Sequence, residues 1–465
     1  MTYAFTFDAS SCSGCKACQE ACKDKNGLSV GLLWRRVIEV SGGDWQPAGA
    51  AWENSVFAYY LSLSCNHCTH PKCAGVCPVD AFNVRPDGIV LIDASRCMGC
   101  GYCAWACPYA APQYDPARGV MTKCNLCYDN LDAGLAPTCV AACPLRALDY
   151  ASAEGLIPLK GAQKLWQLPG SEHPYPLPDY SRTEPRLVIK LHQAMANPLE
   201  KMISNQEEVL PSQAGLNTHG IAAFSELPLV GFTLLTQMAV GMALSRLVIS
   251  ASPLPLLLAI GILLAVGGLT SFLHLGRKRN AWRAVTHLRK SWLSREILMA
   301  GLFTVAWVVT IAWGWLKNEP LTPWLMAIFG IGLLYAMSHV YLLRAVPAWN
   351  SWRTPTAFFL SAIILGVLGV RLIAPFPGSE FIAAIAMAAE MVLVLADRPV
   401  AATIPGRVRA SLLGLGIIGV LLMAGLTSVI GGWLAYLAFL IALVAEVIGR
   451  WQFYAWRVPF PSSKK

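Results

Sequence analysis

The chain has 465 residues, 55% hydrophobic and 14% charged, well short of the about 25% charge usual in a soluble domain. Disorder is excluded by the apolar excess, and a collagen-like fold by the absence of a glycine period. The formal net charge of +9 sits in the later, apolar part, because the first 150 residues are slightly acidic; a nucleic-acid partner is therefore not expected.

The opening MTYAFTFDASSC has no basic n-region and no apolar run, so no secretory signal peptide is expected, and no twin-arginine pair precedes the cysteines. All 16 cysteines lie between Cys12 and Cys143. They form four groups of four: Cys12, Cys15, Cys18 and Cys22; Cys65, Cys68, Cys73 and Cys77; Cys97, Cys100, Cys103 and Cys107; Cys124, Cys127, Cys139 and Cys143. The first and third groups share the spacing C-x2-C-x2-C-x3-C, and Pro108 follows the third. Such a run lets one loop bring three thiolates to one cube, while the fourth cysteine reaches a neighbouring cluster. Sixteen thiolates at four per cluster imply four [4Fe–4S] clusters. Zinc knuckles use paired C-x2-C units with a long gap, and a disulfide framework lacks this regularity.

The segments SCNHC, RCMGCGYCAWACPYAAPQYD, MTKCNLC and CPLRALDY resemble the iron–sulfur subunit of the DMSO reductase family of molybdenum enzymes, from about Phe5 to Tyr150. The resemblance implies that outer and inner motifs exchange ligands. One cluster would take Cys12, Cys15, Cys18 and Cys143, and another Cys124, Cys127, Cys139 and Cys22. The inner pair would be Cys65, Cys68, Cys73 with Cys107, and Cys97, Cys100, Cys103 with Cys77. Lys123 and Arg146 stand beside ligands and could raise a cluster's potential, or could be ordinary surface or partner-contact cations.

Residues 151–222 are rich in proline (Pro158, Pro169, Pro174, Pro176, Pro178, Pro185, Pro198, Pro211) and predict an extended tether with one helix near 186–203. Within 223–465, eight apolar runs recur near 225–246, 252–275, 296–316, 323–343, 355–374, 379–396, 410–430 and 433–450, each close to the about 20 residues that cross a bilayer. Trp292, Trp313, Trp315, Trp324, Trp349, Trp352, Trp433, Trp451 and Trp456 suit interfacial belts. The expected fold is thus an α+β polyferredoxin head over 1–150, a linker over 151–222, and an all-α integral membrane bundle of eight transmembrane helices.

The arrangement HLG, AWRA, SWLSREI after the second run, with ELPL opening the first, resembles the membrane-anchor subunit of DMSO reductase and related quinone-reacting anchors, chiefly over 226–300. That resemblance implies a quinone site containing His274 and Glu296, with ubiquinone or menaquinone as the ligand. Quinol chemistry moves two protons with two electrons, so a titratable group must stand beside the ring. The alternatives are a headgroup-region histidine at His274 and, at Glu296, a helix-dipole partner with Ser294 as N-cap. Glu390, Glu446 and Arg371 lie in or near spans, where ionisable groups are costly, and Glu390 is the better candidate for a proton path. A b-type haem would need His274 and His339 on facing helices and is not expected.

The loops expected on the head's side carry 16 basic residues, Arg409 and Arg450 among them, against three (Arg246, Lys317, Arg371) on the other. The positive-inside rule then places the head in the cytoplasm, on a bacterial cytoplasmic (inner) membrane, with the periplasm as the alternative. No pterin-binding segment is present, so molybdopterin is expected only on a partner catalytic subunit. The expected function is a quinone-dependent oxidoreductase subunit passing electrons between that partner and membrane quinone. Sulfite oxidation, as in quinone-linked sulfite dehydrogenases, is the leading substrate reading. DMSO or another S- or N-oxide reduction is the runner-up. An anchor module of another respiratory system (formate, polysulfide, nitrite) ranks third.

Overall fold

The structure, a computed structural model, describes residues 2–154, 160–168, 177–178, 183–196, 226–249, 254–314, 321–423 and 428–455. The chain divides into two units, Met1–Gly220 with Gly276–Ala281 and Val458–Lys465, and Ile221–Leu275 with Trp282–Arg457.

The first unit is built on a four-stranded sheet. β1 (Tyr3–Asp8) pairs antiparallel with β2 (Leu148–Ser152) and parallel with β4 (Leu187–Lys190), whose other edge takes β3 (Ala162–Lys164). Phe5 and Phe7 of β1 are buried with Leu148, Leu187 and Ile189 from the neighbouring strands. Antiparallel pairs follow at 36–42 with 57–63, at 82–84 with 90–92 and at 113–115 with 120–122. The sheet corrects the tether expected from residue 151, since β3 and β4 belong to the head. Of the helix expected near 186–203, residues 187–190 are strand and only Gln193–Ala196 is helical. Residues 197–203 lie outside those described. Proline counts missed this because a strand as short as Leu187–Lys190 needs only one apolar face to be captured by β1.

Gly276–Ala281 also belongs to the first unit. The Arg277 N–H donates to Met98 O at 3.0 Å and its guanidinium to Ala94 O at 2.8 Å, while the Asn280 amide donates to Ser95 O and Cys97 O.

The second unit holds eight helices long and apolar enough to cross a membrane. They are α1 (Leu227–Ser245), α2 (Leu254–Leu273), α3 (Trp292–Gly314), α4 (Thr322–Val340), α5 (Arg353–Arg371), α6 (Ser379–Ala396), α7 (Ile404–Met423) and α8 (Ser428–Ala455). α3 starts four residues earlier than expected, which puts Ser294 inside the helix rather than at its N-cap. α7 starts at Ile404 instead of 410, and α8 runs on to Ala455. Polar residues at these ends had hidden the extra turns. Arg409 and Arg450 consequently sit within helices, and their side chains are largely buried, so neither counts as a loop charge. Trp349 is also a core residue, 1% exposed and stacked on Phe453 at 5.0 Å. Trp315 and Trp456 lie outside the described residues.

Small residues let α1 and α5 meet backbone to backbone. A Cβ on Gly241 would lie 1.8 Å from Ala362 O, and one on Gly366 would lie 2.3 Å from the Gly241 carbonyl carbon. In a membrane bundle, where lipid is as apolar as leucine, such close approach is a main source of helix–helix stability.

Candidate functional site

Every cysteine motif folds by the same local device. The residue before each second cysteine takes positive φ: Gly14 at 73°, His67 at 41°, Gly99 at 73° and Leu126 at 58°. The reversed backbone turns the two flanking thiols toward one side. At Gly14 no side chain would fit, since a Cβ would meet the Tyr60 ring at 2.5 Å. His67 and Leu126 hold the same conformation without glycine's freedom, a local strain that concentrates at functional loops. The third cysteine of each motif then sits on a short helix: Cys18 on Ala17–Lys25, Cys73 on Lys72–Val76, Cys103 on Tyr102–Ala106 and Cys139 on Thr138–Ala141. The fourth comes at or just past that helix's end for Cys77, Cys107 and Cys143, and inside it for Cys22.

The fold gathers the thiols into four sets that cross between motifs. Cys12 faces Cys18, Cys143 and Cys15. Cys22 faces Cys139 and Cys127, and Cys124 faces Cys22 and Cys139. Cys68 faces Cys65, Cys107 and Cys73. Cys103 faces Cys100, Cys77 and Cys97. Adjacent sets also come within electrostatic range of one another in one order, Cys18 with Cys139, Cys124 with Cys65, and Cys73 with Cys103.

The donor set suits iron–sulfur clusters. All sixteen sulfurs are free thiols, and ten cysteines are buried. Cys65, Cys68, Cys73 and Cys107 line one cavity together with Lys123 and Thr183. Burial pushes the Cys22 and Cys100 thiols up to about 12 and Cys107 up to about 11. The bare thiols are thus held protonated in this interior, and binding iron as thiolates would release protons.

Buried cations stand among the sets, Lys123 and Arg35 among them. Lys123 is 4% exposed, donates to the carbonyls of Val90 and Cys124, and faces Cys73. Arg35, which sequence reasoning missed, is 2% exposed; it donates to Ser62 and Ser64 hydroxyls at 3.1 and 3.0 Å and faces Cys139, Cys124, Cys18 and Cys22. Its signal was weak because it lies 13 residues past Cys22 in a strand-entry segment. Arg146, by contrast, is exposed.

In the second unit, His274 follows the last turn of α2 and is half-buried, with its Nδ1 lacking a hydrogen-bond partner. Burial lowers its pKa, opposed by the Ser271 carbonyl, which favours the neutral ring. Glu296 lies in the second turn of α3 and is 3% exposed. No hydrogen bond or ion pair joins it to His274 among the described residues. Glu296 instead faces Tyr341 and Tyr454, whose hydroxyls are 2.6 Å apart, and Glu226 faces the same Tyr454. Glu226 opens the ELPL segment, whereas neither tyrosine carries a motif; tertiary packing brings them together. His339 stacks against Trp292 at 4.5 Å and Tyr335 at 4.0 Å.

Residues 56–153 match the 4Fe-4S dicluster domain family, and residues 221–405 match the DMSO reductase anchor subunit family. Over 188 residues the chain is 47% identical to a chain of the anaerobic dimethyl sulfoxide reductase of Escherichia coli (strain K12), covering 88% of that protein and 40% of this chain. It is 38% identical over 166 residues to the formate dehydrogenase iron-sulfur subunit of Wolinella succinogenes, 78% of that protein and 31% of this chain. It is 40% identical over 158 residues to a subunit of the sulfite dehydrogenase of Allochromatium vinosum, 66% of that protein and 31% of this chain. The chain therefore belongs to the DMSO reductase family, as an electron-transfer subunit of a molybdoenzyme-type oxidoreductase complex that carries the family's multi-pass membrane anchor on the same polypeptide.

Proposed function

We propose that the chain conducts electrons between a separate molybdopterin catalytic subunit and the membrane quinone pool, with one [4Fe–4S] cluster in each four-thiol set. The observation that supports this reading is the serial order of the sets, neighbours within electrostatic range through Cys18 with Cys139, Cys124 with Cys65, and Cys73 with Cys103. Each cluster would supply reversible one-electron chemistry. Around them the cysteines hold iron, the buried backbone excludes water, and Arg35 and Lys123 offset negative charge at the junctions between sets. A cation so placed raises a cluster's potential.

The test is one substitution per set, read by electron paramagnetic resonance of the reduced complex. Cys124→Ser should remove or convert a single cluster signal and abolish electron transfer between catalytic subunit and quinone. Retention of four unaltered signals would refute the ligand assignment.

In the anchor, His274 and Glu296 are the proposed quinone-site residues, supported by the unpartnered His274 Nδ1 and the buried Glu296 carboxyl beside two tyrosines. His274→Ala with normal quinol turnover would remove the histidine from that role.

For the substrate, sulfite oxidation with quinone as acceptor is the favoured reading. It is supported by the basic residues of the loops between spans, which remain in large excess on the head's side after Arg409 and Arg450 are withdrawn. A cytoplasmic head on a bacterial inner membrane follows from that count. Quinol-driven DMSO or other oxide reduction is the second reading, favoured by the 47% identity to a dimethyl sulfoxide reductase polypeptide. Reporters fused after Lys465 separate the two. Cytoplasmic fluorescence without external phosphatase activity supports the first, and the reverse pattern supports the second.

A further inference from the structure

A cavity of about 270 Å³ lies among α5, α6, α7 and α8, apart from His274 and Glu296. At its rim Arg353, the first residue of α5, is paired with Asp397, the C-cap of α6, at 2.6 Å, and both are partly exposed. Deeper in, Glu390 and Glu446 are each 1% exposed and both engage Arg409. By helical rise they lie about 9 and 13 Å from the ends of their helices. Gly449 makes room for the guanidinium, since a Cβ there would sit 2.2 Å from Arg409 Cζ.

These groups are not fully satisfied by one another. The Ser361 hydroxyl donates to one oxygen of Glu446 at 2.7 Å. Glu390 Oε2, Glu446 Oε1, Gln452 Oε1 and Arg409 Nε are buried and without hydrogen-bond partners, and their residues all line the cavity. Two carboxylates against one guanidinium leave an excess negative charge that an apolar surround penalises. Arg450 offsets it only at a distance, being bound to Gln237 Oε1 at 3.0 Å and seated over the Phe358 ring at 3.8 Å.

We propose that the cavity is a proton-transfer site, in which Glu390 and Glu446 share Arg409 and hold one exchangeable proton that water at the Arg353–Asp397 rim renews. The inference rests on the quinone reaction proposed above. Reducing a quinone to its quinol takes two electrons from the clusters and two protons, and this cavity supplies one of those protons; oxidation runs the same balance backwards. Glu446, Arg450 and Tyr454 recur at four-residue spacing on one face of α8, and Tyr454 meets Tyr341 beside Glu296. A charge change at Glu446 is therefore felt at the proposed quinone end through Arg450. The other groups facing the pair are Arg409 of α7, Arg353 of α5 and Asp397 beyond α6, while α1 contributes the amide of Gln237.

The experiment uses the intact complex and a short-chain naphthohydroquinone. Infrared difference spectra between oxidised and hydroquinone-reduced protein should contain a protonated-carboxyl band that shifts in heavy water and disappears in Glu390→Gln and Glu446→Gln. Steady-state turnover should fall about 100-fold in both, with iron content and cluster signals unchanged. Should these variants fail to assemble, Ser361→Ala keeps all four charges and removes one donor to Glu446; the pH midpoint of its turnover should then move upward. If the hydroquinone does not reduce the wild-type clusters, the quinone reaction falls and this inference with it. If it does, but the glutamine variants keep the wild-type rate and infrared spectrum, or the Ser361→Ala midpoint stays in place, only the proton-transfer site is overturned.

Discussion

The head and the anchor both bury polar chemistry, by opposite means. In the head, the sixteen thiols are held by loops and by helices of four to nine residues, and each motif is nearly complete within itself. Only the exchange of fourth cysteines spans long distances. In the anchor, helices of 18 to 28 residues are apolar along most of their length, and each polar cluster joins partners far apart in sequence: Ser361 with Glu446, Gln237 with Arg450, Tyr341 with Tyr454. Local spacing thus carries the chemistry of one region, and helix packing carries that of the other. The head should therefore depend on what its thiols bind, and the anchor on how its helices meet.

The largest effect expected is from removing iron. Stripping the complex with a chelator should unfold the head, because metal binding and folding are coupled where thiols fill the interior. The eight helices should survive, so far-ultraviolet circular dichroism would keep its helical signal while limited proteolysis cuts residues 1–190. An iron-free head that resists protease would break the comparison.

Next comes Arg409→Leu in the anchor. It leaves Glu390 and Glu446 facing each other without their shared cation, and losing one partner of a buried pair costs about 3–5 kcal/mol. The midpoint of denaturant unfolding in detergent should fall accordingly, with cluster spectra unchanged. An unshifted midpoint would mean that water already screens the pair.

Arg35→Met probes the head in the same way but more mildly. The hydroxyls of Ser62 and Ser64 lose their donor, costing about 1–3 kcal/mol. Redox titration should also show a lower potential for the clusters beside Cys18 and Cys124. Equal potentials in variant and wild type would reduce Arg35 to a structural role.

The smallest effect concerns Glu154, exposed beside β2. Hydrogen bonds from the Ser152 hydroxyl and the Thr2 N–H lower its carboxyl to about 2. A carboxylate depressed on folding stabilises above its unfolded value, and that contribution is lost as pH falls from about 4.5 toward 2. Acid denaturation of Glu154→Gln should lack this slight component, and identical acid profiles would show that the contact does not hold in solution.

The sequence by itself determined the four cysteine motifs, the presence of eight spans and the separation of head from anchor. These follow from short-range rules, since a thiol spacing and an apolar run of about 20 residues each act within one segment. Only the tertiary structure decided that β4 returns to pair with β1, and that Arg35 stands among cysteines of two sets. It likewise decided that Arg409 and Arg450 turn inward and that Glu296 faces Tyr341 and Tyr454. Each of these depends on a partner tens to hundreds of residues away, and a buried charge or strand edge takes whichever partner the packing brings within hydrogen-bond reach. No local pattern encodes that choice.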